Sequence, residues 1–414
     1  MTELGCIADD FTGATDLAGN LVASGRRTVV TIGVPDGPLP DTDAVVVALK
    51  TRTVPADDAV RAALDAHRAL RERGCTRFWF KYCSTFDSTA RGNIGPVLDA
   101  LLDATGAPWT IACPAFPANG RTVYQGHLFV GERLLSESGM RHHPLTPMTD
   151  PDLVRVLGAQ TRHPVGLLPH AVLRAGPAAT RAHVERITAV GGARVLVVDT
   201  IDDADLAAVE ECARDLPLVT GGSGLALALP PVAAPATAAL PTAPGPLAVL
   251  AGSVSETTLA QTAHARRLVP HRKVSARDAV ADPAATARAL TAWARPHLDA
   301  GRGVLVHSAD SIGEVRSFQQ EFGAERVARA LEESLAACAR GLTDSGVRRL
   351  LVAGGETSGA VVAALGVRTL TVGPAIAPGI PWMSAEYRGG TVSLALKSGN
   401  FGPEDLFTTA EDHL

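Results

Sequence analysis

Short runs of aliphatic and β-branched residues recur along the chain, and most are separated by segments whose apolar positions follow helical spacing. Nearly every position within a run is apolar, as is typical of strands buried on both faces of a sheet. Strands that alternate with helices predict parallel sheets flanked by helices. The predicted strands are Leu4–Ala8, Thr28–Ile32, Ala44–Leu49, Arg77–Lys81, Thr110–Cys113, Val195–Val198, Leu218–Thr220, Leu247–Ala251, Val304–His307, Arg349–Ala353 and Val392–Leu396.

An uncharged, proline-rich stretch interrupts this alternation. Residues 216–255 contain no Asp, Glu, Lys or Arg but seven prolines, and the longest proline-free run is Leu218–Leu229. Because a membrane-spanning helix needs about 20 uninterrupted apolar residues, we predict a Pro/Ala-rich linker at 230–246 rather than an anchor. The predicted fold class is therefore α/β with two domains, 1–229 and 247–414, each a largely parallel sheet flanked by helices, with the active site in a cleft between them.

The composition narrows the classes of function. The 414 residues are 46% hydrophobic and 20% charged, and the net charge of −5 gives no basic footprint for nucleic acid. The six cysteines are dispersed without a CxxC pair, which favours reduced thiols, and the first residues lack the pattern of a signal peptide. We expect a cytoplasmic protein that binds small molecules, with neither nucleic acid nor a membrane as a partner; a homodimer is left open as its assembly.

Polar side chains follow several of the predicted N-terminal strands. In open α/β sheets, ligands bind beyond the carboxyl ends of the strands, where loops meet helix N-termini. Carboxylates and hydroxyls there suit the OH groups of a small polyhydroxy acid, and cations suit its carboxylate. The candidate residues are Asp9, Asp10, Arg52, Lys81, Ser84, Thr85 and Asp87.

Simpler structural roles remain open for some of these residues. Asp9 and Asp10 suit the start of the first helix, predicted from Gly13, as capping groups. Lys81 suits a surface lysine whose stem covers apolar neighbours. Asp16, inside the helix, is expected to be solvated or capping rather than catalytic.

Three glycine-rich turns follow predicted strands in the C-terminal half. They are GSVSETT at 252–258, GGETSG at 354–359 and KSGN at 397–400. Ser253 and Glu256 predict a capping box that opens a helix, and a second helix is predicted over Ala360–Leu365. Glycine turns before helices expose unpaired N–H groups, so these turns predict a site for nucleotide phosphates.

The periodicity fails in one segment, Tyr124–Thr149. We predict a hairpin or a lid over the site for this segment. For His142 and His143 within it, a surface loop is the preferred interpretation, and a role as ligands is the alternative.

A polyol site in one domain and a phosphate site in the other favour phosphoryl transfer, which requires positioning, charge neutralisation and an acid that orients or deprotonates the attacking hydroxyl. Several rival motifs are missing. The sequence has no GxxxxGK[ST] loop, no HExxH, no GxSxG and no GxGxxG followed by an acid.

Six sequence blocks between residues 7 and 402 together resemble the four-carbon acid sugar kinase family. They are IADDFTGATD, KYCSTFDSTARGNIGP, CPAFPANGRTVYQGHLFV, LLSESGMRHHPLTPMTD, AGGETSGAVV and ALKSGNFG. The resemblance implies a sugar-acid-binding N-terminal domain, a nucleotide-binding C-terminal domain, and ATP-dependent phosphorylation of the C4 hydroxyl of 3-oxo-tetronate with Mg²⁺. The KYCSTFDSTARG block is longer than the K-x-D-S-T-L-R-G type of the threonate and erythronate branch, which favours the oxo acid.

The resemblance also implies site residues. For the sugar-acid set given above, the roles follow from placement at strand ends: Arg52 and Lys81 would bind the carboxylate, and Asp10 or Asp87 would take the hydroxyl proton. The metal ligands are left unknown. The ATP site would comprise Ser255, Gly354, Gly355, Glu356, Thr357, Ser358, Gly359 and Gly399, with Lys397 as a further phosphate contact.

Other functions remain as alternatives at this point. Within the same class, the chain would be a D-threonate or D-erythronate 4-kinase. From other classes, it would be a sugar-acid-binding protein without catalysis, or a nicotinamide-dependent oxidoreductase.

Overall fold

A computed structural model describes residues 3–143, 145–189, 191–232 and 240–414. The chain divides into two compact units, residues 1–236 and 237–414. Part of the predicted linker at 230–246 lies outside the described residues, and the predicted domain limits stay a prediction. Among the described residues, no helix is both long and apolar enough to span a membrane.

The N-terminal unit is built on a parallel sheet. Its described strands are β1 (Leu4–Ala8), β2 (Thr28–Ile32), β3 (Ala44–Ala48), β4 (Arg77–Lys81), β5 (Thr110–Cys113), β6 (Arg121–Tyr124), β7 (His127–Val130), β8 (Arg133–Leu134), β9 (Val165–Leu168), β10 (Val195–Val198) and β11 (Leu218–Gly221). Eight of these strands pair in parallel in the order β2–β3–β1–β4–β11–β5–β10–β9. All five residues of β1 are buried, as the continuous apolar run predicts.

Helices follow most of the parallel strands of this unit, as is usual for βαβ crossovers, whereas β2 and β3 are joined by a loop. The helices are α1 (Phe11–Ala23), α2 (Ala56–Glu72), α3 (Ile94–Thr105), α4 (Leu153–Gly158), α5 (His170–Arg174), α6 (Pro177–Ile187) and α7 (Asp203–Ala213).

Two loops of this unit pack backbone against backbone where β5 and β11 end. A Cβ atom on Gly221 would lie 2.1 Å from the Cys113 carbonyl oxygen, and one on Gly222 would lie 2.6 Å from that of Pro114. Only glycine permits this approach. The packing places Ser223 beside α1, where Asn20 Nδ2 donates to the Ser223 carbonyl oxygen at 3.0 Å.

A small antiparallel sheet, β6–β7–β8, follows the loop after β5. Its second turn lies inside the segment Tyr124–Thr149, so the hairpin predicted there is confirmed. Two short 3₁₀ turns, Leu135–Glu137 and Gly139–His142, come next. The lid role of the segment stays a prediction.

The C-terminal unit has a mixed sheet. Its strands are β12 (Leu247–Ala251), β13 (His271–Lys273), β14 (Val304–His307), β15 (Arg349–Ala353), β16 (Thr369–Ala377), β17 (Ile380–Tyr387) and β18 (Gly390–Lys397). They pair in the order β13–β14–β12–β15–β18–β17–β16, and the pairings up to β18 are parallel while the last two are antiparallel. The helices are α8 (Glu256–Ala265), α9 (Ala276–Ala281), α10 (Pro283–Asp299), α11 (Ile312–Phe322), α12 (Ala324–Asp344), α13 (Gly355–Leu365) and α14 (Leu406–Thr409).

The antiparallel strands β16 and β17 were not expected from the hydrophobic pattern. Pro374 and Pro381 lie within them, and the register of their pairing shifts between Val372 and Ala375. Prolines and bulges interrupt the period-two pattern on which strand prediction depends. The strand β13 was missed for another reason, since its three residues are exposed and basic or imidazole-bearing.

The core of the C-terminal unit extends to the last residues of the chain. Trp382 on β17 is fully buried, and its Nε1 donates to the Ala410 carbonyl oxygen at 2.9 Å. Leu406 and Phe407 pack into the same cluster of buried residues as Val249 and Leu351. The C-terminal segment is therefore held against the sheet that carries the glycine-rich turns.

Candidate functional site

The loops after β1 and β3 meet in an ion-pair cluster centred on Arg52. Arg52 Nε and Nη2 donate to the two carboxylate oxygens of Asp9 at 2.9 and 2.8 Å, a bidentate arrangement. Arg52 Nη2 also donates to Asp10 Oδ1 at 2.7 Å. Arg52 Nη1 lies 3.6 Å from Asp87 Oδ2, so three predicted carboxylates surround one guanidinium.

Asp10 also caps α1. Its Oδ1 accepts from the Gly13 N–H at 3.0 Å, and its Oδ2 accepts from Thr12 Oγ1 at 2.8 Å. The capping role proposed for Asp10 is thus confirmed, alongside its contact with Arg52. Burial opposes ionisation of Asp10, but Arg52, Lys81 and the two hydrogen bonds outweigh it and lower the pKa of the carboxyl group.

The loop after β4 brings Asp87 to the cluster through a strained turn. Phe86 has φ +62°, a left-handed conformation that is costly for a bulky residue, and its ring packs edge-on against Tyr82 at 5.5 Å. On either side of it, Thr85 Oγ1 donates to Asp87 Oδ1 at 2.6 Å. Ser84 is half-buried in the same loop.

Asn93 fixes the loop that carries Arg52. Its Nδ2 donates to the carbonyl oxygens of Thr51 and Val54 at 2.7 and 2.8 Å. Asn93 immediately precedes α3, so the loops after β3 and β4 are tied to each other. This side chain was missed in the sequence because Asn before a helix normally indicates only a cap.

Lys81 is buried under the first turn of α1. Its Nζ donates to the Tyr82 carbonyl oxygen at 2.9 Å, and only 2% of the residue is exposed. A Cβ atom on Gly13 would lie 2.9 Å from this Nζ and 2.2 Å from Asp10 Oδ1, so a larger residue there would displace one of these groups. The surface-lysine interpretation of Lys81 is therefore wrong.

Asp16 is buried, which corrects the expectation that it is solvated or capping. It lies on the same face of α1 as Gly13, one turn further on, and its Oδ2 accepts from Ser223 Oγ. Its Oδ1 is buried without a hydrogen-bond partner. Burial raises the pKa of Asp16, while Lys81, Ser223 and Arg121 act in the opposite direction.

Arg121, at the start of β6, is the cation that sequence reasoning missed in this unit. Its Nη1 donates to the Asn119 carbonyl oxygen, and its Nε is buried without a partner. It belongs to the CPAFPANGRTVYQGHLFV block, to which the sequence assigned no site residue.

In the C-terminal unit, the turns after β12 and β18 are joined by hydroxyl groups. Ser255 Oγ and Thr258 Oγ1 donate to the Gly399 carbonyl oxygen at 2.6 and 2.8 Å. Ser255 is the N-cap of α8, since its Oγ accepts from the Thr258 N–H at 3.2 Å. The capping box predicted from Ser253 is therefore wrong; Ser253 Oγ instead accepts from the Ser255 N–H at 3.2 Å.

Lys397 holds the turns after β12 and β18 together through the hydrogen bonds of its buried ammonium group. Its Nζ donates to Thr258 Oγ1 at 3.0 Å and to the carbonyl oxygens of Ser398 and Gly399 at 2.9 and 2.8 Å. The residue is fully buried, and burial lowers the pKa of its amine to about 7. All three hydrogen-bond positions of the ammonium group are thus used inside the chain.

The GGETSG sequence is mostly helix rather than turn, which corrects the prediction that the helix starts at Ala360. Gly354, at φ +123°, is the N-cap, and α13 begins at Gly355. Thr357, Ser358 and Gly359 are buried, whereas Gly355 and Glu356 are exposed at the helix start. The turns after β12 and β15 touch closely, since a Cβ atom on Gly252 would lie 2.0 Å from Thr357 Oγ1.

The structure thus brings together most of the predicted residues within each unit. The described residues contain no group of three or more His, Cys, Asp or Glu side chains arranged to hold a metal ion. His143 Nδ1 accepts from Thr146 Oγ1 at 2.8 Å, a local loop contact.

Comparisons with known proteins agree with this organisation. A family model described as a sugar-binding N-terminal domain matches residues 4–229, and one described as a nucleotide-binding C-terminal domain matches residues 248–407. The 3-oxo-tetronate kinase of Burkholderia multivorans is 52% identical over 98% of this chain and 96% of its own length. The 3-oxo-tetronate kinase of Salmonella typhimurium is 44% identical over 99% of both chains.

Solved structures are similar over the whole chain as well. A crystal structure of a Haemophilus influenzae protein has a TM-score of 0.79 with 40% identity and covers 99% of both chains. One from Salmonella typhimurium LT2, described as a tRNA synthase, has a TM-score of 0.91 with 44% identity and covers 100% of both.

The fold and the two matched domains define a two-domain protein that pairs a sugar-binding unit with a nucleotide-binding unit, the organisation of a small-molecule kinase. The chain belongs to the four-carbon acid sugar kinase family.

Proposed function

We propose that this protein transfers the γ-phosphoryl group of ATP to the C4 hydroxyl of 3-oxo-tetronate, giving 3-oxo-tetronate 4-phosphate and ADP in the cytoplasm. The observation that carries the proposal is the cluster in which Asp9, Asp10 and Asp87 surround Arg52 at strand ends of the sugar-binding unit. Such a cluster offers hydrogen-bond acceptors to sugar hydroxyls and a carboxylate to the attacking one. The names of the relatives supply the substrate.

The roles of the acids follow from their contacts. Both oxygens of Asp10 already accept hydrogen bonds and its pKa is lowered, so Asp10 is better suited to orient a hydroxyl than to take its proton. Asp87 Oδ2 lies 3.6 Å from Arg52 Nη1, beyond hydrogen-bond distance, so Asp87 is the stronger candidate for the base. Asp9 holds Arg52, and Ser84 and Thr85 offer hydroxyls beside Asp87.

The nucleotide site is proposed on the turns after β12, β15 and β18. The start of α13, where Gly355 and Glu356 are exposed, suits phosphate oxygens, and Ser255 and Gly399 join the turns after β12 and β18. Thr357, Ser358 and Gly359 shape the helix start beneath them. Lys397 is proposed to support the Gly399 turn rather than to contact phosphate, because its ammonium has no free hydrogen-bond position.

Magnesium is proposed to accompany ATP. Because the described residues provide no three-ligand cluster, the phosphate oxygens and water would supply most of the Mg²⁺ coordination, which is common for this ion in kinases. When bound, the ion neutralises charge on the transferring group. The homodimer stays a prediction, which light scattering of the purified protein tests.

The proposal is tested by a coupled ADP-release assay with ATP, Mg²⁺ and four acids: 3-oxo-tetronate, D-threonate, D-erythronate and L-threonate. Turnover of the oxo acid with little turnover of the others is expected. A preference for D-threonate or D-erythronate would support kinase activity but overturn the assigned substrate. ATP binding without ADP release from any of the acids would contradict the sugar-acid assignment.

A further inference from the structure

Arg52 is poorly placed to bind the carboxylate of a substrate. Its guanidinium nitrogens face Asp9, Asp10 and Asp87, so an added carboxylate would be the fourth anion around one cation. The cavity beside it, lined also by Asn93, encloses only about 10 Å³, roughly the space of one water molecule. Arg52 is already neutralised before any substrate arrives.

Among the described residues, two other cations of the same unit form no hydrogen-bonded ion pair with a carboxylate. In the described part of the N-terminal unit, the only hydrogen bonds of the Lys81 and Arg121 side chains go to main-chain carbonyl oxygens, those of Tyr82 and Asn119. Arg121 Nε is buried and has no acceptor. A buried guanidinium N–H without an acceptor is costly, which points to a partner supplied from outside the chain.

Lys81 and Arg121 both lie near the carboxyl group of Asp16. The carboxyl group of Asp16 lies within electrostatic reach of Lys81 and of Arg121 but forms a hydrogen bond with neither, because its bonded partner is Ser223. Lys81 Nζ lies close to Gly13 on the same face of α1, since a Cβ atom there would be 2.9 Å from it. Lys81 ends β4, and Arg121 follows the loop after β5, which packs against the loop that brings Ser223 to Asp16. The two cations therefore flank a region at the ends of β4 and β5.

We propose that Arg121, together with Lys81, binds the carboxylate of the sugar acid, and that Arg52 instead holds Asp9, Asp10 and Asp87 in position. This inference rests on the proposed function, because it takes a four-carbon acid as the substrate. An arginine presents two parallel N–H groups that match a carboxylate, which a lysine does not.

The test pairs a change in the protein with a change in the substrate. Arg121→Gln removes the charge, and erythrulose replaces the carboxylate of 3-oxo-tetronate by a neutral hydroxymethyl group. For 3-oxo-tetronate, we expect Arg121→Gln to lower kcat/KM about 10- to 100-fold, mainly through KM, with the KM for ATP unchanged. For erythrulose, kcat/KM is expected to stay within about twofold of wild type. Arg121→Lys should recover part of the loss.

The control variant is Arg133→Gln, which alters an exposed arginine on β8 of the same small sheet and should behave as wild type for both substrates. Equal losses for the acid and the neutral ketose in Arg121→Gln would indicate a merely structural role and overturn the inference. So would an unchanged KM for the acid.

Failure of the proposed function would be seen separately, in the wild-type protein. If wild type binds 3-oxo-tetronate by calorimetry without phosphorylating it, the function is wrong and the inference is tested on the dissociation constant. A 10- to 100-fold weaker Kd in Arg121→Gln then supports it, and an unchanged Kd overturns it.

Discussion

At the scale of single residues, three carboxylates of the sugar-binding unit surround one guanidinium, and Arg52 does not bind them equally. Arg52 gives two hydrogen bonds to Asp9, one to Asp10, and only a 3.6 Å contact to Asp87. Asp87, which Arg52 holds least closely, therefore has the carboxylate oxygen most available to a substrate hydroxyl. This ranking separates two candidate bases that the sequence left equal.

We expect Asp87→Asn to lower kcat by about 10²- to 10⁴-fold with KM for the acid changed less than threefold, since it removes proton acceptance while keeping the shape of the side chain. Asp10→Asn should raise KM for the acid as well, because it disturbs both the α1 cap and the contact to Arg52. Steady-state kinetics distinguishes the two. The control is Asp57→Asn, at an exposed acid on α2. Near-normal kcat in Asp87→Asn would refute the base assignment.

Lys397 gives a prediction about pH and stability. Its pKa is about 7 in the folded protein, below the 10.5 of a free lysine, so the unfolded chain binds more protons between those values. Stability arising from this group must therefore rise as pH increases from about 7 to 10.5, and level off below 7. A tenfold difference in proton affinity between the two states corresponds to about 1.4 kcal/mol.

In Lys397→Met this rise should be lost. We expect the difference in free energy of unfolding between wild type and variant to move in favour of wild type between pH 7 and pH 9, as measured by urea unfolding at several pH values. Lys273→Met, at a half-exposed lysine paired with Asp310 and Glu314, is the control and should not show this pattern. A pH-independent difference for Lys397→Met would contradict the lowered pKa.

At the scale of elements, the nucleotide-binding unit depends on glycines where three strand ends meet. A Cβ atom on Gly252 would collide with Thr357 Oγ1 at the start of α13, and one on Gly399 would lie 2.6 Å from Ser253 Oγ. The turns can therefore approach each other only because these positions have no side chain. Their packing fixes the direction in which the N–H groups of α13 point.

Gly252→Ala is expected to raise KM for ATP at least tenfold and to cost about 1–3 kcal/mol of stability, since Thr357 must move. Gly313→Ala on α11 is the matched control, because a Cβ atom there meets only Ser311 Oγ at 3.8 Å. It should be neutral or slightly stabilising. Kinetics and urea unfolding measure both effects, and equal behaviour of the two variants would show that the contact is unimportant.

The secondary-structure elements also show which features of the fold could be predicted from the sequence. The central strands and most strand-end residues were predictable because buried parallel strands form continuous apolar runs and their carboxyl ends share one edge. Asp16 and Arg121 were not predictable. The position of Asp16 depends on which face of α1 is buried, and that of Arg121 depends on the path of the loop after β5. The start of α13 was missed because Gly355 and Gly359 are poor helix formers that tertiary packing keeps helical.

At the scale of the whole molecule, one ligand is assigned to each of the two units. Each assignment can be tested by a variant that alters only that unit. A ligand that binds only the folded state stabilises it by RT ln(1 + [L]/Kd), about 2.7 kcal/mol at 100 times Kd. Stability measured with each ligand alone therefore reports which unit binds it.

Lys81→Met should abolish the thermal stabilisation by 3-oxo-tetronate while keeping that by a non-hydrolysable ATP analogue, because it removes a buried cation of the sugar-binding unit only. Gly252→Ala should do the reverse, because it affects only the turns of the nucleotide-binding unit. Scanning calorimetry over a range of ligand concentrations measures the shifts, and wild type must respond to both ligands. If either variant lost both responses, the ligands would share determinants across the units, and the assignment of one ligand to each unit would be wrong.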